Sequence, residues 1–310
     1  MRRSLAITSA LLIPITIAPG GDASYPAPLK PEEAEPDAPF VPIDVTRATY
    51  TFTGNMSLDR GPGSLDAHQV EMRQLLSNRL LEVGGWSLLP VATYSFTSLD
   101  FSGTAPGFAI ENEDVHTFSF NQFFFRTPGG DSPWLLAGWG RASLSSDFQH
   151  LTGDAFFFDA AAIAAYRVSE RFTIGAGAAV FDIGGDPSFI PSVNFDWQVS
   201  DDFRFGIYGP FFTANYDHGN DWEFGIRGEP GGGSWNIRDA AGDSRTLDFS
   251  SYRVGINANR RLHDNFWLGA MVGTTLGNQI EVRDRRGGNR FKTDLGESLF
   301  AQIVLRLRIW

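Results

Sequence analysis

The sequence predicts an all-β fold, a closed antiparallel transmembrane β-barrel of about 14 strands (roughly 12 to 14), preceded by a signal peptide and a disordered lead-in. Three observations predict it. Segments of about ten to sixteen residues alternate apolar with polar side chains, where strands of soluble proteins usually run to about five or six. The connections alternate between tight and long. Aromatic residues stand just past the tight turns, where an amphipathic ring is most stable at the headgroup level of a bilayer.

Composition narrows the alternatives. The chain holds 34 Gly, 27 Phe, 8 Trp and no Cys in 310 residues. Past the N-terminus it has no apolar run approaching 18 residues, which excludes a helical membrane protein. The absence of Cys removes disulfides, thiolate metal sites, thiol nucleophiles and a lipid anchor on Cys. A net charge of -11 speaks against nucleic acid as a partner, because no excess of cations exists to displace counterions from a phosphate backbone.

Arg2 and Arg3 precede an apolar stretch from Leu5 to Ile17, with small residues at Ala18, Gly20, Gly21 and Ala23. That pattern makes 1–23 a secretory signal peptide. Six prolines follow, Pro26, Pro28, Pro31, Pro36, Pro39 and Pro42, interleaved with Glu32, Glu33, Glu35 and Asp37. So little apolar surface cannot offset ordering entropy, and 24–46 reads as a disordered linker. The barrel is expected over 47–310.

Within it, strands are expected at 48–58, 65–76, 86–101, 114–126, 133–147, 154–168, 171–183, 189–200, 202–209, 211–217, 221–229, 246–261, 265–283 and 291–309. Pro210 is placed at a hairpin apex, where its missing N–H matters least. Long loops are expected at 183–188, 230–246 and 284–290, with Gly231 to Gly233 a mobile part of the second. Tyr252, Val254, Ile256 and Ala258 face one way while Arg253, Gly255, Asn257 and Asn259 face the other. The same parity turns Asp159, Arg167, Asp196, Arg204, Glu223, Arg227, Arg253, Arg306 and Arg308 toward the lumen, since a charge on a lipid face costs about 2 to 4 kcal/mol near the midplane. Trp86, Trp134, Phe172, Phe203, Trp222, Phe266 and Trp267 are expected to form the membrane-interface aromatics.

Between Phe189 and Gly233 the chain has Pro191 in a strand, the turn Ser200-Asp201-Asp202, the apex Tyr208-Gly209-Pro210 and Tyr216 before the next turn. With these residues the stretch resembles a family of uncharacterised bacterial outer-membrane β-barrel proteins that carry a domain of unknown function. The resemblance continues more loosely through Gly231-Gly232-Gly233 to the C-terminus, and it implies a fold without implying a reaction. The last strand resembles the signal by which such barrels are inserted, but Trp310 falls out of phase with Ile303, Leu305, Leu307 and Ile309.

The candidates for chemistry are sparse. Of the histidines, His150, His218 and His263 fall in expected turns or loops; His116 and Ser119, three apart on one strand, point to opposite faces and cannot pair. No catalytic residues, metal ligands or cofactors are expected. The expectation is therefore an outer-membrane barrel of a diderm bacterium, a passive channel or small-solute transporter without catalysis. Its partners would be outer-membrane lipid, the barrel-insertion machinery through the C-terminal strand, and small solutes or ions. The alternatives are a structural or adhesive barrel acting through its outer loops, chiefly 230–246, and a secreted soluble β-sandwich that binds polysaccharide.

Overall fold

The computed structural model describes residues 44–59, 61–77, 80–103, 112–126, 132–149, 151–183, 186–238, 242–284 and 290–308. The expected signal peptide, most of the expected linker, His150 and Trp310 lie outside the described residues. The first strands are β1 (Asp44–Ser57), β2 (Gly63–Leu75), β3 (Leu81–Val83), β4 (Trp86–Gly103), β5 (Glu113–Arg126) and β6 (Trp134–Ser146). After one 3-10 turn at Gly153–Ala155 come β7 (Phe156–Ser169), β8 (Phe172–Ile183), β9 (Asp186–Gln198), β10 (Phe203–Tyr208) and β11 (Phe211–His218). The chain ends with β12 (Trp222–Arg238), β13 (Ser244–His263), β14 (Phe266–Asp284), β15 (Arg290–Asp294) and β16 (Ser298–Arg308).

Every neighbour pairing around the ring is antiparallel, and the ring closes. β1 pairs with both β2 and β16, β16 with β14, β14 with β13, and the series runs back from β13 through β12 to β4 and β2. The short β3 folds only onto the start of β4, and β15 extends the line of β16 along β14. Fourteen strands among the described residues therefore form the wall. A closed wall leaves no free sheet edge and overturns the alternative of a two-sheet sandwich. Pro210 sits at the β10–β11 apex as expected, beside Gly209 at φ 62°, and Phe203↔Tyr216 to Tyr208↔Phe211 pair without a slip.

The alternation decides which face is which. On β16, Leu299, Ala301, Ile303, Leu305 and Leu307 are exposed outward, Leu299 to 78%, whereas Phe300, Gln302, Val304 and Arg308 are buried inside. On β7, Phe156, Phe158 and Tyr166 point out and Phe157, Asp159 and Ala165 point in. On β1 the same split separates Tyr50 and Phe52 from Thr49, Thr51 and Thr53. The outward series of these strands carry no charge. A continuous apolar ring of this kind far exceeds the few hundred Å² of contiguous apolar surface that a water-soluble monomer exposes.

Both chain ends of the barrel, Asp44 and Arg308, lie in register at one end, termed proximal here. The tight turns near 170, 200, 220 and 264 are on that side. Two expectations for the opposite, distal end need correction. The long loop at 183–188 is largely strand, because β8 and β9 stay paired out to Ile183↔Asp186. The loop at 230–246 is a hairpin: β12 and β13 pair residue for residue from Trp222↔Arg260 to Arg238↔Ser244, straight through Gly231, Gly232 and Gly233. The ladder supplies partners for the backbone of this glycine run, and that outweighs the run's intrinsic flexibility. β1 already includes Asp44, three residues before the expected start at 47.

Candidate functional site: the barrel interior

The distal half of the β12–β13 hairpin crosses the mouth of the barrel and docks on the far wall. Trp235 donates its indole N–H to Thr117 Oγ1 on β5 at 3.1 Å. Asn236 makes a parallel bridge to Ser146 on β6, and its carbonyl accepts from the Asp147 amide at 3.2 Å. The Arg238 amide donates to Asp147 Oδ2 at 2.9 Å. β6 and β12 are six places apart in a fourteen-strand ring, so this contact spans nearly a diameter. Beneath it, Trp235, Ile237, Leu247 and Phe249 pack against Met56, Leu65, Leu99, Val115 and Ile280, all buried. The parity that places these residues inside is the parity of the charged residues lower on the same strands, so an apolar cap continues the polar lumen. A smaller inward apolar cluster of Leu75, Leu89 and Val91, with Val45, Phe123 and Phe125 beside it, lies nearer the proximal end of β1, β2, β4 and β5.

Between the two clusters the interior is charged, and most charges are paired. Asp159 accepts from Arg141 at 2.5 Å. Asp196 takes Arg204 in a two-point contact at 2.9 and 2.6 Å and also accepts from the Tyr208 hydroxyl. Glu223 receives Arg308 at 2.5 and 3.1 Å and Asn259 at 3.2 Å. Arg227 lies 2.8 Å from Glu229, which also accepts from Gln302 at 3.3 Å. Arg253, 7% exposed, reaches from β13 to Gln69 on β2 at 3.1 Å. Arg306 and Arg308 share Asp44, at 3.8 and 3.5 Å. Arg167 keeps the inward parity but stands exposed at the proximal rim. Each of the nine charged residues assigned to the lumen from the sequence thus occupies an inward position.

Sequence reasoning missed their partners Asp44, Arg141 and Glu229. Glu229 shares the odd numbering of Glu223 and Arg227 and was legible; Asp44 was hidden by its place in the proline-rich lead-in. Of the expected interface aromatics, Trp86, Trp134, Phe172, Phe203, Trp222 and Phe266 occupy outward positions near the proximal end, with Trp134 edge-on to Tyr166 at 5.2 Å. Trp267 is a correction. It is 6% exposed and faces inward, between the guanidiniums of Arg308 at 4.5 Å and Arg261 at 5.2 Å. Consecutive residues of a strand point to opposite faces, so Phe266 and Trp267 cannot both look outward.

The two sides of the interior differ in access. Inward residues of β1, β13, β14 and β16, among them Thr51, Ser251, Thr275, Gln302 and Val304, are sealed. Along β8 and β11 the inward Thr173, Gly175, Gly177, Thr213 and Asn215 are half-exposed. The histidines supply no cluster: His68 and His116 sit on the outward face, bonded to Tyr50 and Tyr94 at 2.9 Å each, while Ser119 points inward. Among the described residues no group of three His, Cys, Asp or Glu could hold a metal ion.

Fold and interior together define a closed β-barrel with a mainly apolar exterior and a charge-paired, partly capped lumen. Residues 64–308 match the family described as Domain of unknown function (DUF6268), and the chain belongs to that family. No curated protein is significantly similar to it in sequence. Among solved structures, the chain is similar to a deltaS2 mutant of the TodX monoaromatic hydrocarbon channel, at 7% identity and TM-score 0.36 over 86% of this chain and 91% of that one. It is also similar to the beta domain of the Bordetella autotransporter BrkA, at 12% identity and TM-score 0.29, covering 86% and 100%. A mutant porin of Rh. blastica matches at 10% identity and TM-score 0.25, covering 86% and 100%.

Proposed function

We propose that the protein is an outer-membrane channel for small solutes, without catalytic activity, whose passage follows the β7–β11 side of the lumen. The apolar exterior supports a bilayer as its surroundings, with the proximal end toward the periplasm. The observation that carries passage is the contrast in access. Inward Thr173, Gly175 and Gly177 on β8 and Thr213 and Asn215 on β11 are small and partly exposed, with Phe157, Asp159, Ala179, Asn194 and Asp196 as the packed parts of that side. Thr51, Ser251, Thr275, Gln302 and Val304 on β1, β13, β14 and β16 are instead buried. A barrel of fourteen strands is wide enough for one side to be packed while the other stays wet. The amphipathic strand β16 is the element through which the insertion machinery would take the chain, and 1–23 would deliver it to the periplasm.

Single-channel recording on the purified barrel in a planar bilayer tests this. The expected result is small, steady conductance that rises when residues 232–250 are replaced by a two-residue Asn-Gly turn joining the paired Gly231 and Ser251. Silence from both proteins would overturn the channel and favour the second reading, a structural barrel, which the apolar cap at the distal mouth supports.

A further inference from the structure

Four arginines meet in the proximal half of the lumen. Arg47 lies directly opposite Arg73 of β2 on one side and Arg306 of β16 on the other. All three point inward, by the parity of Thr49, Leu75 and Val304. Arg227 on β12 lines the same small void as Arg306. Like charges placed directly opposite each other across a sheet are destabilising, and the cost grows where the surroundings are less polar than water.

Three carboxylates offset part of the row's charge, and Asp44 among them is shared with Arg308. Glu229 is taken by Arg227 at 2.8 Å. Glu71 stands 3.7 Å from Arg73, and Asp44 3.8 Å from Arg306, both well beyond the roughly 2.7 to 2.9 Å of a charge-assisted bond. Arg47 makes one side-chain hydrogen bond, to Thr49 at 3.1 Å, and no ion pair among the described residues. Arg306 Nε is buried without a hydrogen-bond partner, as is Asn257 Oδ1 beside it. A void of about 10 Å³, room for about one water, lies between Arg227 and Arg306 and is completed by Asn257, Asn259, Gln302 and the apolar Ala270, Met271 and Val304, so an oxyanion would need the guanidiniums to move apart. Arg73 is 40% exposed and Arg227 28% exposed, so both keep contact with solvent. In a chain of net charge -11 this local excess of cations is not a by-product of composition.

We propose that Arg47, Arg73, Arg227 and Arg306 bind a small oxyanion of the phosphate class inside the lumen. The planar fork of a guanidinium matches such an anion in two-point contacts, and four forks from four strands would enclose it. The inference deepens the channel reading by naming the solute class and rests on it only for transport. Binding is measured apart from passage, so the two fail separately.

The test uses the full mature chain in detergent, with inorganic phosphate as the probe and potassium chloride at matched ionic strength as the control. Thermal melting should rise by several degrees with phosphate over chloride. Arg47→Gln should melt higher than the unmodified protein in phosphate-free buffer, because one repulsive charge is gone, and should lose the phosphate response; Arg73→Gln should lose it as well. Arg204→Gln, in a separate ion pair on β10, should keep it. Equilibrium dialysis with labelled phosphate should follow the same order. A phosphate effect no larger than that of chloride, an equal effect in Arg47→Gln, or an Arg47→Gln protein that fails to fold would each overturn the site. A barrel that binds phosphate in this pattern yet never conducts would overturn the channel and leave the site standing.

Discussion

Trp235 on β12 and Thr117 on β5 are joined by an indole N–H to hydroxyl hydrogen bond of 3.1 Å that crosses the mouth of the barrel. The ring is also the largest member of the apolar cap and is almost fully buried. Trp235→Ala removes the anchor and leaves a cavity, at a cost of about 3 to 5 kcal/mol for truncating a buried aromatic. Because the lost contacts belong to the cap rather than to the ring of strands, the wall should still form. The expected outcome is a heat-modifiable, inserted barrel with a lower melting temperature, whose hairpin tip near 238–244 becomes a site of limited proteolysis. A hairpin as resistant to protease as the unmodified one would show that Trp235 does not hold it.

Opposite faces of one strand give the second prediction. Ile256 is 63% exposed on the outward face of β13, and Arg253 is 7% exposed on the inward face. Ile256→Arg should impair insertion into lipid vesicles by about 2 to 4 kcal/mol, the cost of a charge near the bilayer midplane. Arg253→Ala should insert normally, losing only its contact with Gln69. Gel mobility of heated and unheated samples after folding into vesicles reads both, and similar losses for the two would mean that this strand does not divide lipid from lumen.

A third prediction concerns the Asp196–Arg204 pair. Asp196 is buried and accepts from both Arg204 and Tyr208. Arg204→Leu leaves that carboxylate without its cation, which is far more harmful than the pair was helpful. Because the guanidinium is one-third exposed, the loss should be about 2 kcal/mol rather than the larger values of fully buried pairs. The double change Arg204→Leu with Asp196→Leu should recover most of it. Denaturant titrations of the three proteins measure the recovery; a double variant weaker than the single one would contradict the account.

The wall of the barrel was legible because one rule governs it. Each of the fourteen strands expected from alternation appears, and Pro210 marks the apex between β10 and β11 as its chemistry requires. What could not be read was anything that depends on two strands far apart in the chain. Trp235 meets Thr117 across 118 positions, and Arg253 meets Gln69 across 184, and no local pattern carries such contacts. Trp267 was misread for a different reason. Its neighbour Phe266 satisfied the expectation of an outward aromatic, and position past the turn was allowed to outweigh the parity that separates adjacent residues.

The glycine run shows the same limit and gives the last prediction. Gly231, Gly232 and Gly233 resemble a flexible loop by composition, yet each lies where another group comes close. A Cβ on Gly231 would fall 2.6 Å from Ser251 Oγ and 2.8 Å from Arg253 Nε, and one on Gly233 would fall 2.6 Å from the Trp235 ring. At Gly232 the obstacle is backbone: the Phe249 carbonyl oxygen would lie 2.0 Å away, and φ is 96°, a value that L residues rarely adopt. Side chains at 231 and 233 have rotatable neighbours that can yield, whereas the β13 backbone cannot move without breaking the ladder from Gly232↔Ser250 outward. Gly232→Ala should therefore detach the distal part of the hairpin and the cap it carries, while Gly231→Ala should cost less. Amide hydrogen exchange over 234–249 reads this directly, because exchange there should become fast in Gly232→Ala while the proximal half of β13 stays protected. Unchanged protection in Gly232→Ala would mean that the close approach at Phe249 does not constrain the hairpin.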